Sequence, residues 1–542
     1  MVQTVRTVVI EGEPDSIEIL QKLIDDFKAE EEGPPPDFVY KYDRLKMRAP
    51  ALHFMSMSIF EAADYDPIFV IETNFDGLDG PIWAQLEAAI PSLRAMLRCC
   101  KRPAGPLGDV YDAISYRDSI FPLAPYLEAH MVKPRIFHLG NRGLDRTRIL
   151  RESELFVACQ DELMNAETRN PNPYRPATAS EIHQRLRAAL RPKFSWLDEP
   201  ASPRIPKLEN LTDRLRLIGL VLAVLLCLSI PGLLLALVSH SWVAIAISLA
   251  AAAMAARAIG DLGDLRQLIP KSASPGGKLK ATIAGICGLT LYVLVFSFIG
   301  AAILALLTPV TFLGALKANF IEMLKAALLV LAVGLFSVLA ILWWLRRLER
   351  RDPSQDEPPI NDKLMREILK SEDHIVQNHM GSLVLVKPGA LRAVLIRIGL
   401  VGLGLLLRVT ARDGYLGDMR TIHFAHWALV SNESRLLFLS NFDGSWESYL
   451  DDFIEKAHSG LTLAWANGVG FPPARFLLLE GATHGRLFKA WARHSMTVSR
   501  FWFSAYTEYS VNQIERNAAV ANGLRRVRFD NAEDAKTWAR NL

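Results

Sequence analysis

Cysteine is scarce and unpatterned. Of the five in 542 residues, Cys99 and Cys100 are adjacent, Cys159 stands alone, and Cys227 and Cys287 sit in apolar runs. This excludes a disulfide framework and any Cys-x-x-Cys motif, and it fits reduced thiols in a cytosol-facing protein. Charge of one sign is also missing: a net +3 leaves no electrostatic footprint for nucleic acid, so no such partner is expected. The opening Met-Val-Gln-Thr-Val-Arg lacks a basic head followed by an apolar core, so no cleavable signal peptide is expected. Gly468-Val-Gly470 and Gly402-Leu-Gly404 lack the rest of a dinucleotide or phosphate loop, and no Gly-x-Ser-x-Gly elbow occurs. His374 and His379 are five apart, wrong for a helical zinc pair. No metal site is expected.

What the chain has is apolar content, concentrated between Leu217 and Leu345. Four segments approach the ~20 residues needed to cross a bilayer: Leu217 to Val238, Trp242 to Ile259, Ile283 to Leu307, and Ala326 to Leu345. Their interiors hold almost no ionisable residues, which argues for anchoring rather than transport. Arg204, Lys207, Arg214 and Arg216 precede the first segment; Arg257, Arg266, Lys271, Lys278 and Lys280 lie between the second and third; Arg346, Arg347, Arg350 and Arg351 follow the fourth. The opposite loops are nearly free of them, so both soluble halves and both termini are expected on the cytoplasmic side of a multi-pass inner or cytoplasmic membrane protein. Val394 to Leu407 is also nearly all apolar, but Arg392, Arg397 and Arg408 flank or interrupt it. It reads as a buried or membrane-grazing helix.

A short stretch occurs twice. Leu52-His-Phe and Ile68-Phe-Val-Ile-Glu-Thr-Asn-Phe-Asp-Gly77 return as Ile422-His-Phe and Leu436-Leu-Phe-Leu-Ser-Asn-Phe-Asp-Gly444, with the His-Phe pairs 370 residues apart and the Asn-Phe-Asp-Gly tetrads 367 apart. Downstream, Ala129 to Leu139 resembles Arg493 to Phe503, and Arg146 to Glu152 lines up with Val511 to Asn517. In the first half, β-branched Thr4 to Ile10, helical spacing over Ser16 to Ala29, a hairpin, helical period over Pro81 to Cys100 and a strand at Arg135 to Leu139 give the order βαββαβ. The second half repeats it: a strand at Ser382 to Gly389, a helix at Ala390 to Leu407, the hairpin, an additional strand at Arg475 to Glu480, a helix at Arg486 to His494 and a closing strand at Arg500 to Ser504. The expected fold is α+β: two ferredoxin-like βαββαβ units as an intramolecular pseudo-dimer, with a four-helix transmembrane insertion. The divisions are 1–165 (first unit), 166–213 (linker with a basic amphipathic helix over Ser180 to Leu190), 214–346 (membrane), 347–380 (charged linker and helix), 381–527 (second unit) and 528–542 (tail).

Two such units resemble the dimeric α/β-barrel superfamily, and the tandem Asp-Gly turns resemble the Gly-x-x-Asp-Gly motif of dye-decolourising peroxidases, with Thr73 and Ser440 at the first glycine. The resemblance implies an oxidoreductase holding haem or working without cofactor, with Asp76 and Asp443 as distal acids. The residues themselves give those aspartates a second reading, a turn plus a helix N-cap, which suits their presence in both halves. Candidate haem-binding histidines are His423, His426, His138 and His494. Strand alternation sends His423 to one sheet face with Ala425 and Trp427, and His426 to the other with Phe424. The functional expectation is a membrane-anchored module that binds an apolar small molecule or cofactor, with the lipid bilayer as partner and peroxidase-like or monooxygenase-like chemistry. The alternative is a non-enzymatic scaffold or lipid-interaction protein.

Overall fold

The computed structural model describes residues 3–32, 41–62, 65–116, 118–200, 203–239, 241–268, a few between 288 and 314, 320–352, 361–410 and 419–542. The fold is α+β, with two five-stranded sheets and a small two-stranded ladder.

The first sheet is built on β1 (Gln3–Glu11), β2 (Leu52–Ala62), β3 (Tyr65–Asp76) and β4 (Met131–Val132). After β4, β5 (Ile136–Leu139) leaves it. The second sheet is built on β6 (Gln377–Leu385), β7 (Ile422–Val430) and β8 (Arg435–Asp443). Between them and the end, β9 (Ala474–Arg475) and β10 (Leu479–Glu480) form the small ladder, and β11 (Met496–Thr497) is followed at once by β12 (Ser499–Ser504). The sheet orders are β12-β2-β3-β1-β4 and β11-β6-β8-β7-β5. Each half therefore orders its own four strands the same way, and its last strand splits. The short first part pairs at home (β4 on β1, β11 on β6), and the longer second part pairs antiparallel with the edge of the other sheet (β5 on β7, β12 on β2).

This corrects the expectation that Arg135 to Leu139 and Arg500 to Ser504 close their own units. Phe137 pairs with His426 and Phe503 with Met55, each across the molecule. The exchange covers the outer edges that β2 and β7 would otherwise present to solvent. Phe476 and Leu477 have positive φ, so Arg475 to Glu480 is a tight hairpin rather than one strand. The segment Pro81 to Cys100 divides into helices Gly80–Ala89 and Leu93–Arg98 at the Ile90-Pro91 step, because proline disfavours helical backbone before it.

Alternation sets two layers of core. Inward residues Val9, Phe60, Ile68, Val70, Val132, Leu383, Ala428, Val430, Leu437 and Leu439 form one cluster drawn from both sheets. Phe60 reaches across to Gly381, where an added Cβ would stand 3.3 Å from its ring, so the glycine leaves room for the phenyl group. Outward residues such as Met55, Met57, Phe69 and Ile71 pack under the helices of the first half. Trp427, Phe438, Tyr449 and Trp465 do the same in the second.

Four helices are long and apolar enough to cross a membrane: Lys207–Val238, Trp242–Ile259, Ile321–Arg350 and Ala390–Val409. Three of these contain the expected segments. The remaining expected segment, Ile283 to Leu307, lies almost wholly outside the described residues. Ala390–Val409 meets the same length and composition criterion, but it lies against the second unit: Gly404 comes within contact of the β5 backbone and Gly402 of Leu220. The first and third helices approach backbone to backbone at Gly232, where a Cβ would meet Val330 Cα at 2.7 Å; small residues permit such close approach in membranes.

The helix ends nearest the sheets are clamped by ion pairs. Arg142 and Arg408 meet Glu209 and the buried Asp213, Arg346 and Arg350 meet Asp261, and Lys387 and Arg392 meet Asp352. The basic helix, observed as Ala179–Leu190, has a complete capping box and buries His183, Leu186 and Leu190. Its Arg187 donates to Leu524 O, so it docks on the helix Val511–Arg525. The tail carries a further helix, Ala532–Ala539, anchored by the buried Trp538.

Candidate functional site

Each hairpin opens with a bulge at its histidine. The register steps from Leu52↔Phe75 to Phe54↔Asn74, and from Ile422↔Phe442 to Phe424↔Asn441, leaving His53 and His423 as the extra residues. A bulge re-aims a side chain. His53 Nε2 lies 2.9 Å from Asp76 and its Nδ1 lies 2.8 Å from the Tyr506 hydroxyl; His423 Nε2 lies 2.8 Å from Asp443. Simple alternation thus fails for His423, which leaves the face of Trp427 and packs against Phe54 and Tyr506.

The aspartates also accept backbone amides. Asp76 Oδ2 takes Arg146 N–H and Asp443 Oδ2 takes Val511 N–H, both at 2.7 Å. These are the first residues of helices Arg146–Glu167 and Val511–Arg525, far along the chain, whereas the helix after Asp443 is capped by Ser445. Gly77 and Gly444, at φ 103° and 81°, turn the chain away from the carboxylates. Only glycine adopts this backbone readily. The aspartates brace distant helices to the hairpins.

The middle of the interior is polar, and its carboxylate comes from one half only. Glu72, fully buried on β3, accepts from Ser56 Oγ (3.0 Å), Asn74 Nδ2 (2.9 Å) and Asn441 Nδ2 (3.2 Å), and lies 2.9 Å from His379 Nε2. Trp502 Nε1 donates to Asn441. Burial opposes ionisation of Glu72. The hydrogen bond and charge of His379, the charge of His426 and the Asn74 amide outweigh it and hold the carboxyl at about 2. His426 Nε2 bonds Thr7 Oγ1 at 2.7 Å, while its Nδ1, 3.6 Å from Glu72, has no hydrogen-bond partner among the described residues. Burial pushes this imidazole down to about 4, against the attraction of Glu72.

Beyond His379 the cluster reaches a chamber. Its Nδ1 lies 2.5 Å from Ser499 Oγ, and Ser499, His379 and Trp502 line a cavity of about 320 Å³ with Ile368, Ile375 and Val498. An adjoining groove of about 710 Å³ shares Met496, Thr497, Val498 and Arg500 and runs past Ile59, Phe60 and Val384. Both lie where β11 passes into β12.

A scan against family models finds no match to this chain, and searches of curated proteins and of solved structures find none either.

The cluster of Glu72, His379 and Ser499 went unread in the sequence. The available signal is the difference between the copies: Glu72 is an acid at an inward position whose counterpart is Leu439, and His379 stands where the first half has Val5.

The residues present do not fit haem. His423 is held by Asp443 and His426 by Thr7, each among packed side chains. His138, whose imidazole burial pushes down to about 3, borders a cavity of only about 90 Å³. His494 lines the 710 Å³ groove, among Glu18, Glu61, Lys363, Glu367, Arg435 and Arg500 rather than an apolar cleft. Among the described residues no group of His, Cys, Asp and Glu has metal-holding geometry.

Proposed function

We propose that the chain is a membrane-anchored, cytoplasm-facing module that binds a small, largely apolar molecule in the chamber at the seam between its two halves. The reading treats the halves as duplicated ferredoxin-like units closed on each other as in the dimeric α/β barrels. The observation that carries it is the 320 Å³ chamber, which sets apolar side chains (Ile368, Ile375, Met496, Val498, Trp502) beside His379 within a charged rim that includes Lys28, Glu32, Glu367 and Arg500. Binding sites generally join such walls with a few placed polar groups. The enclosed interior that the resemblance would use for a cofactor is filled here by the Phe60 cluster and the Glu72 network, so the seam replaces it as the site.

The filled interior also favours a second reading, a non-enzymatic scaffold whose ion-paired membrane helices hold it at the lipid surface. Binding of a fluorescent apolar probe to detergent-purified full-length protein separates the two. Saturable binding that Val498→Arg abolishes, with the melting temperature unchanged, supports the chamber. Binding unaffected by that substitution leaves the scaffold.

A further inference from the structure

We infer that Ser499, His379 and Glu72 form a nucleophile, base and carboxylate relay that hydrolyses small carboxylic esters in the seam chamber; this rests on the chamber being a ligand site. The three side chains come from β12, β6 and β3 and form one line: Ser499 Oγ, 2.5 Å, His379 Nδ1; His379 Nε2, 2.9 Å, Glu72 Oε2. An ionised carboxylate only accepts hydrogen bonds, so the imidazole proton sits on Nε2 and the lone pair of Nδ1 faces the serine hydroxyl. That is the tautomer a general base needs.

Glu72 cannot swing away, because Ser56, Asn74 and Asn441 donate to it from three other directions. Ser499 adjoins a break in strand register, Ser499↔Ser58 followed by Phe501↔Met57, which bends β12 beside the hydroxyl. Ser499 and His379 both line the chamber, whose rim carries Lys28, Lys370 and Arg500 beside Glu32, Glu367 and Glu372. A purely structural serine–histidine bond has no use for a 320 Å³ cavity beside its hydroxyl. The line also occurs once in a molecule of repeated halves, since Leu439 and Val5 replace Glu72 and His379 in the opposite copies.

In the reaction, Ser499 Oγ adds to the ester carbonyl carbon as its proton passes to His379 Nδ1, and Nε2–H stays on Glu72. The tetrahedral adduct expels the alkoxide, which takes the proton from Nδ1 and leaves as an alcohol. Water then adds to the acyl-serine and gives a proton to Nδ1. Collapse breaks the acyl–Oγ bond, releases the carboxylic acid and returns the proton to Ser499.

The test uses full-length protein in detergent with p-nitrophenyl butyrate as substrate and an alkyl fluorophosphonate as covalent probe. Equilibrium dialysis with N-butylbutyramide, an amide isostere, reads the chamber separately. The expected result is a single probe adduct mapped to Ser499, with adduct and hydrolysis both falling at least about a hundredfold in Ser499→Ala while amide binding persists. Glu72→Gln should slow labelling at least about tenfold at unchanged amide affinity; should that variant fail to fold, His379→Gln, itself in the chamber, is read by loss of Ser499 labelling alone. Amide binding without labelling of Ser499, or hydrolysis that survives Ser499→Ala, overturns the relay and leaves the chamber. Absence of both binding and labelling overturns the two together.

Discussion

At the scale of residues, a single buried carboxylate governs the interior. Glu72 gathers donors from both sheets, so Glu72→Ala strands His379, Asn74 and Asn441 without their acceptor. The expected loss is about 3–5 kcal/mol, read as a fall in the denaturation midpoint in detergent. Acid should act on the same cluster. His426 and His138 have folded values near 4 and 3, below the ordinary 6.5, so the unfolded chain binds more protons and stability falls as pH drops below 6.5. Glu72 adds a second loss as pH falls from 4.5 toward its folded value of about 2. Denaturation midpoints at pH 7.5, 6 and 5 should decline steadily, by an amount on the order of 1–3 kcal/mol, and His426→Asn should flatten the slope. None of this is legible from strand pattern alone. Ile-Glu-Thr reads as an ordinary strand interior, and only the three-dimensional meeting of β3 with β6 and β8 gives the glutamate its partners from the other half.

At the scale of elements, the hairpins were plain in the sequence because alternation, a doubled His-Phe and a doubled Asp-Gly mark both. Their mates were not. The strand after each second helix is too short to declare which sheet receives it, and the exchange of β5 and β12 follows from edge pairing that no local pattern encodes. The helix caps were misplaced for the same reason: Asp76 and Asp443 serve helices that begin 70 and 68 residues later. Asp443→Ala should cost about 1–2 kcal/mol and loosen the first turn of Val511–Arg525, seen as faster amide hydrogen exchange there. Asp443→Asn, which keeps an acceptor, should cost less; equal loss for both would point to the His423 contact instead.

At the scale of the whole molecule, strand exchange constrains the membrane path. The two halves share sheets, so if the apolar helices span a bilayer the halves lie on one side of it and the chain between them crosses an even number of times. Ala390–Val409 joins β6 and β7, both paired with β8. A lone crossing there would separate neighbours in one sheet by ~30 Å of hydrocarbon, so this helix is predicted not to cross. Reporters at the two termini should therefore agree, and one inserted near Ala315 should oppose them; disagreement between the termini would exclude the path. The apolar runs and their basic flanks were legible in the sequence, whereas the ion-pair clamps, such as Arg408 to Asp213, depend on residues nearly two hundred positions apart. The exchange also orders biogenesis. β2 is made early, but the strand that covers its edge, β12, leaves the ribosome only after every membrane helix has been synthesised. Until then the β2 edge of the first half stays open, the state most exposed to mispairing.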